Sequence, residues 1–436
     1  MTHSLKRPDV QVVVTTLTTG GLGYVTLVLF ARVGGPAEYA GFAVLWAVYY
    51  SIAGAAAGLQ QEVTRAASVT AGATGPFRAR VLIVPLAIGL TLAAAAVAAS
   101  PWWGHHLSLG VGLLVSVALG ACGLAGLLAA LGMLSARRRW GTACLLLLLD
   151  AGVRLAAVVL VAQLGGGRAA QMFAIASGSL VWVPLLPWLV ARFETTTLGP
   201  VRRLVPRAGA MVVATGLSGV LIAGFPALVA ATTRTALSPE TTGLLAALVL
   251  FRSPLIAVAN GVQSMMLVHI LDSSRFGRTV LKAWAACGAV TAVAMLGAAY
   301  LGGPLLRLSM GAEFEVTRTE AVVLVLSAGL IALLMISSLT FLAMDRHGVV
   351  ITGWGVALVA SVVVLLLPME LNDRVLVSVL VGPGLSVVIH GVLLMRSTTT
   401  PRPHSVSAGR EPRPVPLTAL KETVLTSGAV RGTPPA

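Results

Sequence analysis

The sequence alternates between apolar stretches of about twenty residues and short segments that hold most of the charged and turn-forming residues. A helix of that length crosses the hydrocarbon core of a bilayer. The stretches lack the ten-residue alternation of apolar and polar positions that marks a membrane β-barrel. The pattern therefore predicts an all-α polytopic membrane protein with twelve transmembrane helices. We expect the spans at residues 10–32, 39–60, 80–99, 109–132, 142–164, 170–191, 208–231, 242–267, 280–301, 321–343, 349–368 and 374–395.

Matching residues in the two halves of the chain predict an internal repeat. Glu38-x-x-Gly41 opens the second span, and Glu240-x-x-Gly243 opens the eighth. A Gly-x-Gln motif closes both of these spans. Six helices are an even number, so both copies keep one orientation and a pseudo-two-fold axis runs along the membrane normal. Transporters built from such repeats bind substrate between them. We predict an N-terminal six-helix lobe at 1–205 and a C-terminal six-helix lobe at 206–395.

Basic residues are distributed unevenly between the two sets of loops. With a cytoplasmic N-terminus, the loops and tail on that side hold 22 of the 30 Lys and Arg residues, the opposite loops hold six, and two lie inside spans. Cytoplasmic loops of membrane proteins are enriched in these residues. The distribution predicts a multi-pass protein of the cell (cytoplasmic, inner) membrane with both termini in the cytoplasm. Residues 396–436, rich in Pro, Ser, Thr and Arg, are predicted to form a disordered cytoplasmic tail.

Composition excludes several classes of protein. Apolar residues make up 57% of the chain and charged residues 10%, which excludes a water-soluble globule. The net charge of +15 belongs to the cytoplasmic loops, so we expect no nucleic-acid partner. Cys122, Cys144 and Cys287 all lie inside apolar stretches without metal-ligand spacing, and no nucleotide-binding motif is found. We therefore predict no disulfide, no metal site and no cofactor.

Glycines and prolines inside the spans predict close helix contacts and one helix break. Small residues let helix backbones approach in membranes, and we expect this of Gly20, Gly23, Gly54 and Gly58. Pro254 lies in the middle of the eighth span, where we predict that it breaks the helix and exposes backbone carbonyls. His269 and His390 are expected to be packing residues with satisfied hydrogen bonds.

Three charged residues lie near the middle of predicted spans and are the candidate site. A charge at that depth costs roughly 3 kcal/mol on insertion scales, so it normally faces a partner or a wet cavity. Asp150 and Arg154 are four residues apart on the fifth span, where they can form an ion pair. Arg252 has no acidic residue within one helical turn and is expected to line a cavity. Because Arg binds phosphate in a bidentate manner, we predict Arg252, Arg154 and Asp150 as substrate-binding residues.

Several motifs resemble those of polysaccharide flippases. These are GGLGY at 20–24, ARVGGPAEYAGFA at 31–43, the segment 134–156 with Arg137–Arg139 and Arg154, and LSMGAEF at 308–314. The chain departs from the family at 34–36, where Gly-Gly-Pro replaces the usual Leu-Gly-Pro, and its second half matches less well. The resemblance is to the lipid-linked oligosaccharide flippases of the multidrug/oligosaccharidyl-lipid/polysaccharide exporter superfamily. It implies two six-helix lobes, alternating access and a lipid-linked oligosaccharide as cargo.

We therefore predict a transporter, not an enzyme, that flips a polyprenyl phosphate or pyrophosphate oligosaccharide for cell-surface polysaccharide biosynthesis. The expected partners are this glycan lipid, membrane lipids and polysaccharide-assembly proteins, and we expect a monomer. A cation-coupled drug or small-solute exporter of the same architecture is the first alternative, although it would carry several buried carboxylates. A membrane-embedded glycosyltransferase or ligase is the second, although no outer loop exceeds about twenty residues and such enzymes place acid/base groups on sizeable loops.

Overall fold

A computed structural model describes most of the chain, and within it every regular element is a helix. The described residues are 8–69, 80–105, 107, 109–193, 201–233, 237–272, 276–344 and 346–398. The chain divides into two compact units, Met1–Gly391 and Val392–Ala436. All but the first few residues of the predicted tail, and the side chain of His269, lie outside the described residues.

Fourteen α-helices are formed in this part of the chain, and all twelve predicted spans are helical. Eight of the described helices are each long and apolar enough to cross a membrane. The helices are α1 (Pro8–Val69), α2 (Arg80–Ala98), α3 (Ser100–Trp103), α4 (Val111–Ala136), α5 (Trp140–Gln163), α6 (Arg168–Ser177), α7 (Leu186–Phe193), α8 (Val201–Ile222), α9 (Phe225–Thr232), α10 (Pro239–Asp272), α11 (Phe276–Met310), α12 (Arg318–Ala343), α13 (His347–Leu365) and α14 (Leu371–Thr398).

Four of the spans differ from single straight helices. The first two spans are joined in α1, which kinks where Gly35 adopts φ 66° and ψ −177°. Only glycine adopts this conformation without steric cost, so a single-residue kink separates the first two predicted spans. The sixth span consists of α6, a 3₁₀ turn at Gly178–Leu180, a turn at 181–185 and α7, and the seventh consists of α8 and α9.

The position of the helix break was predicted wrongly. α10 continues through Pro254 as a helix of 34 residues, because a proline removes one backbone hydrogen bond and the flanking turns keep theirs. The break lies in the seventh span, where Ala223 and Gly224 separate α8 from α9. Pro226, in the first turn of α9, has the fixed φ and missing N–H that suit a helix start.

The glycines of α1 are divided between one close helix contact and open space. A Cβ on Gly54 would lie 2.6 Å from the Cα of Gly219, and one on Gly58 would overlap the carbonyl of Met211. The predicted close approach is therefore confirmed for Gly54 and Gly58, which cross α8. It is wrong for Gly20, where a Cβ would meet nothing within 4 Å, and Gly23 has only contacts of 3.9 Å. Helical spacing alone cannot tell which face of α1 meets a neighbour.

α13 and α14 pack along a ladder of small residues that the sequence analysis missed. The rungs are 349 with 390, 353 with 386, 357 with 382, and 361 with 378, so each helix steps by four residues. Ser361 and Ser378 each donate to the other's carbonyl, at 3.1 and 3.0 Å, and Ser386 donates to the carbonyl of Gly353 at 2.8 Å. A Cβ on Gly382 would overlap Ser361 and Ala357. Side-chain hydrogen bonds between helices stabilise such contacts in lipid.

His390 forms the last rung of this ladder and is fully buried. Its Nδ1 lies 2.7 Å from Ser337 Oγ and its Nε2 lies 3.3 Å from the carbonyl of Val349. The prediction of a packing histidine with satisfied hydrogen bonds is confirmed.

The end of α1's first half contacts the end of α11. Arg32 donates from Nε to the carbonyl of Ser309 at 2.7 Å and from Nη2 to that of Leu308. These are among the last carbonyls of α11, where a cation is favourable. Beyond the kink, the rings of Tyr39 and Phe314 meet edge to face at 5.5 Å. The contact joins residues from the two halves of the chain.

Candidate functional site

Asp150 and Arg154 form the ion pair that their spacing predicts. Both lie on α5, four residues apart, and Arg154 Nη2 donates to Asp150 Oδ1. Gly178 packs directly against this pair, because a Cβ there would overlap the carbonyl of Asp150. The 3₁₀ turn of the sixth span therefore covers the carboxylate.

All three nitrogens of the Arg154 guanidinium are engaged. Nε donates to the carbonyl of Ile175 at 2.9 Å, Nη1 to the hydroxyl of Tyr50 at 2.6 Å, and Nη2 to that of Tyr49 at 3.0 Å. Its Cζ also lies 5.0 Å from the centre of the Tyr49 ring. The residue is 5% exposed. Arg154 thus ties α1, α5 and α6 together, and its binding to substrate stays a prediction.

Arg252 is equally buried and has none of these partners. The residue is 3% exposed, and within the described residues none of its three guanidinium nitrogens has a hydrogen-bond partner. A buried charge without a partner carries a solvation penalty of several kcal/mol. A guanidinium in this situation binds an anion strongly, because the anion removes that penalty. The structure does not bring Arg252 together with the Asp150–Arg154 pair, since no contact joins them in the described part of the chain.

The one aromatic neighbour described for Arg252 belongs to the broken seventh span. Its Cζ lies 5.7 Å from the ring centre of Phe225, the first residue of α9. The sequence analysis missed Phe225 because it placed the break at Pro254. The signal available was Gly224-Phe225-Pro226, a glycine followed by a proline at a helix start.

A second buried carboxylate also escaped the sequence analysis. Glu62 lies two residues beyond the predicted end of the second span, but α1 continues to Val69 and buries it. Arg65 neutralises it, with Nε donating to Oε2 at 2.7 Å and Nη2 to Oε1 at 2.5 Å. Asp150 and Glu62 therefore both have cationic partners.

The chain is similar over most of its length to mycobacterial proteins. No protein-family model matches it. The uncharacterized protein Rv1510 of Mycobacterium tuberculosis is 31% identical over 388 residues, which cover 86% of this chain and 88% of the relative. The uncharacterized protein Rv3630 of the same organism is 30% identical over 386 residues, covering 86% and 89%.

Solved structures share the fold at low sequence identity. An inward-facing multidrug resistance MATE family transporter of the MOP superfamily has a TM-score of 0.65 at 14% identity, covering 89% of this chain and 100% of that one. A MOP superfamily transporter from Pyrococcus furiosus, described by a binding pocket of reverse polarity that suggests a different function, has a TM-score of 0.62 at 17% identity, covering 90% and 95%. These likenesses confirm the predicted fold class of twelve helices in two lobes. The lobe boundary at 205 and 206 stays a prediction.

Proposed function

This chain belongs to the family of the mycobacterial proteins Rv1510 and Rv3630, and we propose, from its fold and from a buried arginine that has no partner among the described residues, that it flips a lipid-linked oligosaccharide across the cytoplasmic membrane. The cargo is a polyprenyl phosphate or pyrophosphate carrying a glycan for the cell surface. Membrane lipids and polysaccharide-assembly proteins are its partners in this proposal, and the working unit is a monomer.

The observation that carries the proposal is Arg252. A phosphate group cannot cross hydrocarbon unaided, because burying an isolated charge costs tens of kcal/mol by Born estimates. A buried guanidinium without a counterion offsets that cost for an anion and is itself neutralised by it. Arg also keeps its charge at every physiological pH. Alternating access between the two lobes then carries the anionic head group from one side to the other.

A cation-coupled drug exporter of the same fold is the second candidate. Such a protein needs a buried carboxylate that is free to bind a cation. Here Asp150 is paired with Arg154 and Glu62 with Arg65, so neither carboxylate is free in the described structure. The charges of the buried residues therefore favour an anionic cargo.

Native mass spectrometry of the purified protein tests which class of cargo it holds. We expect the wild type to retain a polyprenyl phosphate or pyrophosphate lipid and Arg252→Gln to lose it. Arg318→Gln is the matched control, because this exposed arginine lies over the ring of Tyr300 and no described contact joins it to Arg252. Retention of a drug-like cation, or retention of the glycan lipid by Arg252→Gln, would contradict the proposal.

Export by cells gives a second measurement. Arg252→Lys should keep part of the activity because it retains the charge without the planar fork. Arg252→Glu should abolish export by repelling the phosphate while the protein still accumulates in the membrane. Surface glycan and trapped lipid-linked intermediate are measured at equal protein levels. Export at the wild-type level by Arg252→Glu would contradict the proposed binding of phosphate by Arg252.

A further inference from the structure

We infer that His105 is a proton-binding site that links the two halves of the chain at one end of the molecule. The bound proton holds this end closed, and its loss releases it. His105 follows the short helix α3, between the third and fourth spans. Its partner in the second half is the backbone of Thr233, the residue after α9 in the seventh span. The site goes beyond the proposed cargo, since alternating access requires this end to open whatever the protein carries.

Both ring nitrogens of His105 lie within hydrogen-bonding distance of a backbone carbonyl. Nδ1 is 2.5 Å from the carbonyl oxygen of Trp102, and Nε2 is 2.6 Å from that of Thr233. A carbonyl oxygen only accepts hydrogen bonds, so each contact needs an N–H on the ring. A neutral imidazole has one N–H and a charged imidazole has two. Only the protonated ring therefore forms both bonds, because in the neutral ring one nitrogen lone pair faces an oxygen.

Both carbonyls lie at the ends of helices. Trp102 belongs to the single turn of α3, and Thr233 is the C-cap of α9. The last four carbonyls of a helix have no partner within it and form its negative end. A positive charge is favourable at such an end, as it is for Arg32 at the end of α11. Two helix ends are therefore joined by one cationic ring, and we call this arrangement the His105 clasp.

The segment that carries His105 is fixed to its own half of the chain. Gly104 donates its N–H to the carbonyl of Ser100 at 2.8 Å, and Leu107 donates to the carbonyl of Gly104 at 2.8 Å. The indole of the buried Trp103 donates to the carbonyl of Ala96 at 3.0 Å. The bond from His105 to the seventh span therefore joins two structured segments, and its loss separates them.

The His105 clasp lies at the end of the molecule where other residues of the two halves meet. The third and seventh predicted spans are both odd-numbered, as are the first and ninth, so all four end on the same side. The contact of Arg32 with the end of α11 is therefore on this side too. In the predicted orientation the side is extracytoplasmic. Arg32 keeps its charge at every physiological pH, whereas histidine changes charge between about pH 5 and pH 8.

The helices around His105 bring few other titratable groups near it. α3 and α9 contain none. On α2 and α4, which flank the segment, the nearest are Arg80 and Cys122, at least about 15 Å away along their helices. The adjacent titratable residues in the sequence, His106 and Arg234, lie outside the described residues. At low pH the ring of His105 is charged and both bonds form, and as the pH rises one bond is lost and this end opens.

The distance between the two halves at two pH values tests the clasp. Spin labels are attached at Leu164→Cys and Leu366→Cys, the exposed ends of α5 and α13 on the same side, in a background without native cysteines. Double electron–electron resonance on the purified full-length protein in nanodiscs measures their separation. We expect a shorter distance at about pH 5.5 and a longer one at about pH 8.5. The ratio of closed to open protein should fall at least about tenfold, which corresponds to one hydrogen bond to a charged group.

Three variants show whether His105 is the residue that takes up the proton. His105→Phe keeps a ring without any N–H and should give the longer distance at both pH values. His105→Arg keeps a positive charge with several donors and should give the shorter distance at both. His106→Phe is the matched control, since it makes the same change at the next position, and it should keep the pH dependence of the wild type.

Each contrary outcome overturns the inference. A distance that does not change with pH in the wild type does so without any variant, so a misfolded variant does not decide the matter. Retention of the pH dependence by His105→Phe, or its loss in His106→Phe, places the proton elsewhere. The longer distance in His105→Arg at both pH values shows that a charge at this position does not hold the halves together. The retained lipid tests the cargo separately, so this inference and the proposed function can fail independently.

Discussion

At the scale of single residues, the two arginines buried in the spans differ in what surrounds them. Arg154 has a carboxylate, two phenol hydroxyls and a backbone carbonyl as acceptors. Arg252 has an aromatic ring and no described acceptor. A fully bonded guanidinium holds helices in place, whereas one that lacks acceptors is ready to bind an anion. The same residue type thus serves packing at position 154 and, in the function proposed above, ligand binding at position 252.

The Asp150–Arg154 pair should show strong coupling in a double-mutant cycle. Asp150→Asn leaves Arg154 with an uncompensated charge, and breaking a buried pair in this way costs about 3–5 kcal/mol. The double variant Asp150→Asn with Arg154→Gln removes both charges and should recover at least about 1 kcal/mol of that loss. The apparent unfolding temperature of the purified variants measures the effect. Simple addition of the two single losses would show that the residues are not partners.

At the scale of helices, the ladder between α13 and α14 is a close contact with a regular repeat. Four rungs place residues of one helix opposite residues of the other at intervals of four, and three of them include a hydrogen bond from a side chain. Lipid supplies no hydrophobic driving force between helices, so close packing and such bonds hold them together.

Two glycines of α14 should respond in opposite ways to the same substitution. Gly382→Ala forces a Cβ into Ser361 and Ala357 and should destabilise the protein by about 1–3 kcal/mol, although alanine favours a helix. Gly384→Ala meets only Leu330 at 3.8 Å and should leave stability unchanged or raise it. Thermal unfolding in detergent measures both. Equal effects of the two substitutions would contradict the ladder.

The features that were predictable from sequence are those fixed by the bilayer or by a single helix. Span positions follow from the thickness of the membrane, and the Asp150–Arg154 pair follows from one turn of one helix. The pairing of Arg252 with Phe225 and the ladder of α13 and α14 depend on which helices become neighbours, which local spacing does not encode. A proline in a span also does not by itself indicate where the helix breaks. Pro254 is tolerated inside α10, whereas Pro226, which follows Gly224, lies in the first turn of α9.

At the scale of the whole molecule, residues from the two halves of the chain meet at the end of α11 and at the crossing of α1 with α8. Arg32 binds the final carbonyls of α11, and Gly54 touches Gly219. The positive-inside rule predicts the orientation of this assembly in the membrane from its basic loops.

Cysteine labelling in intact cells tests the orientation. In a background without native cysteines, Ser135→Cys at the end of α4 should be shielded from a membrane-impermeant thiol reagent. Leu164→Cys, at the exposed end of α5, should react. Permeabilised cells should allow both to react. Labelling of position 135 but not of position 164 in intact cells would show that the orientation is the reverse of the predicted one.

The crossing of Gly54 and Gly219 has a mechanical consequence. The backbones are in contact again one turn further on, where Gly58 meets Met211, so α1 and α8 can come no closer and cannot pivot about a single point. The second half of α1 extends from Gly54 about 28 Å back to the kink at Gly35 and about 22 Å on to Val69. In a rearrangement of the protein the second half of α1 should therefore move together with α8 as one rod, and the kink at Gly35 is the place where α1 can bend.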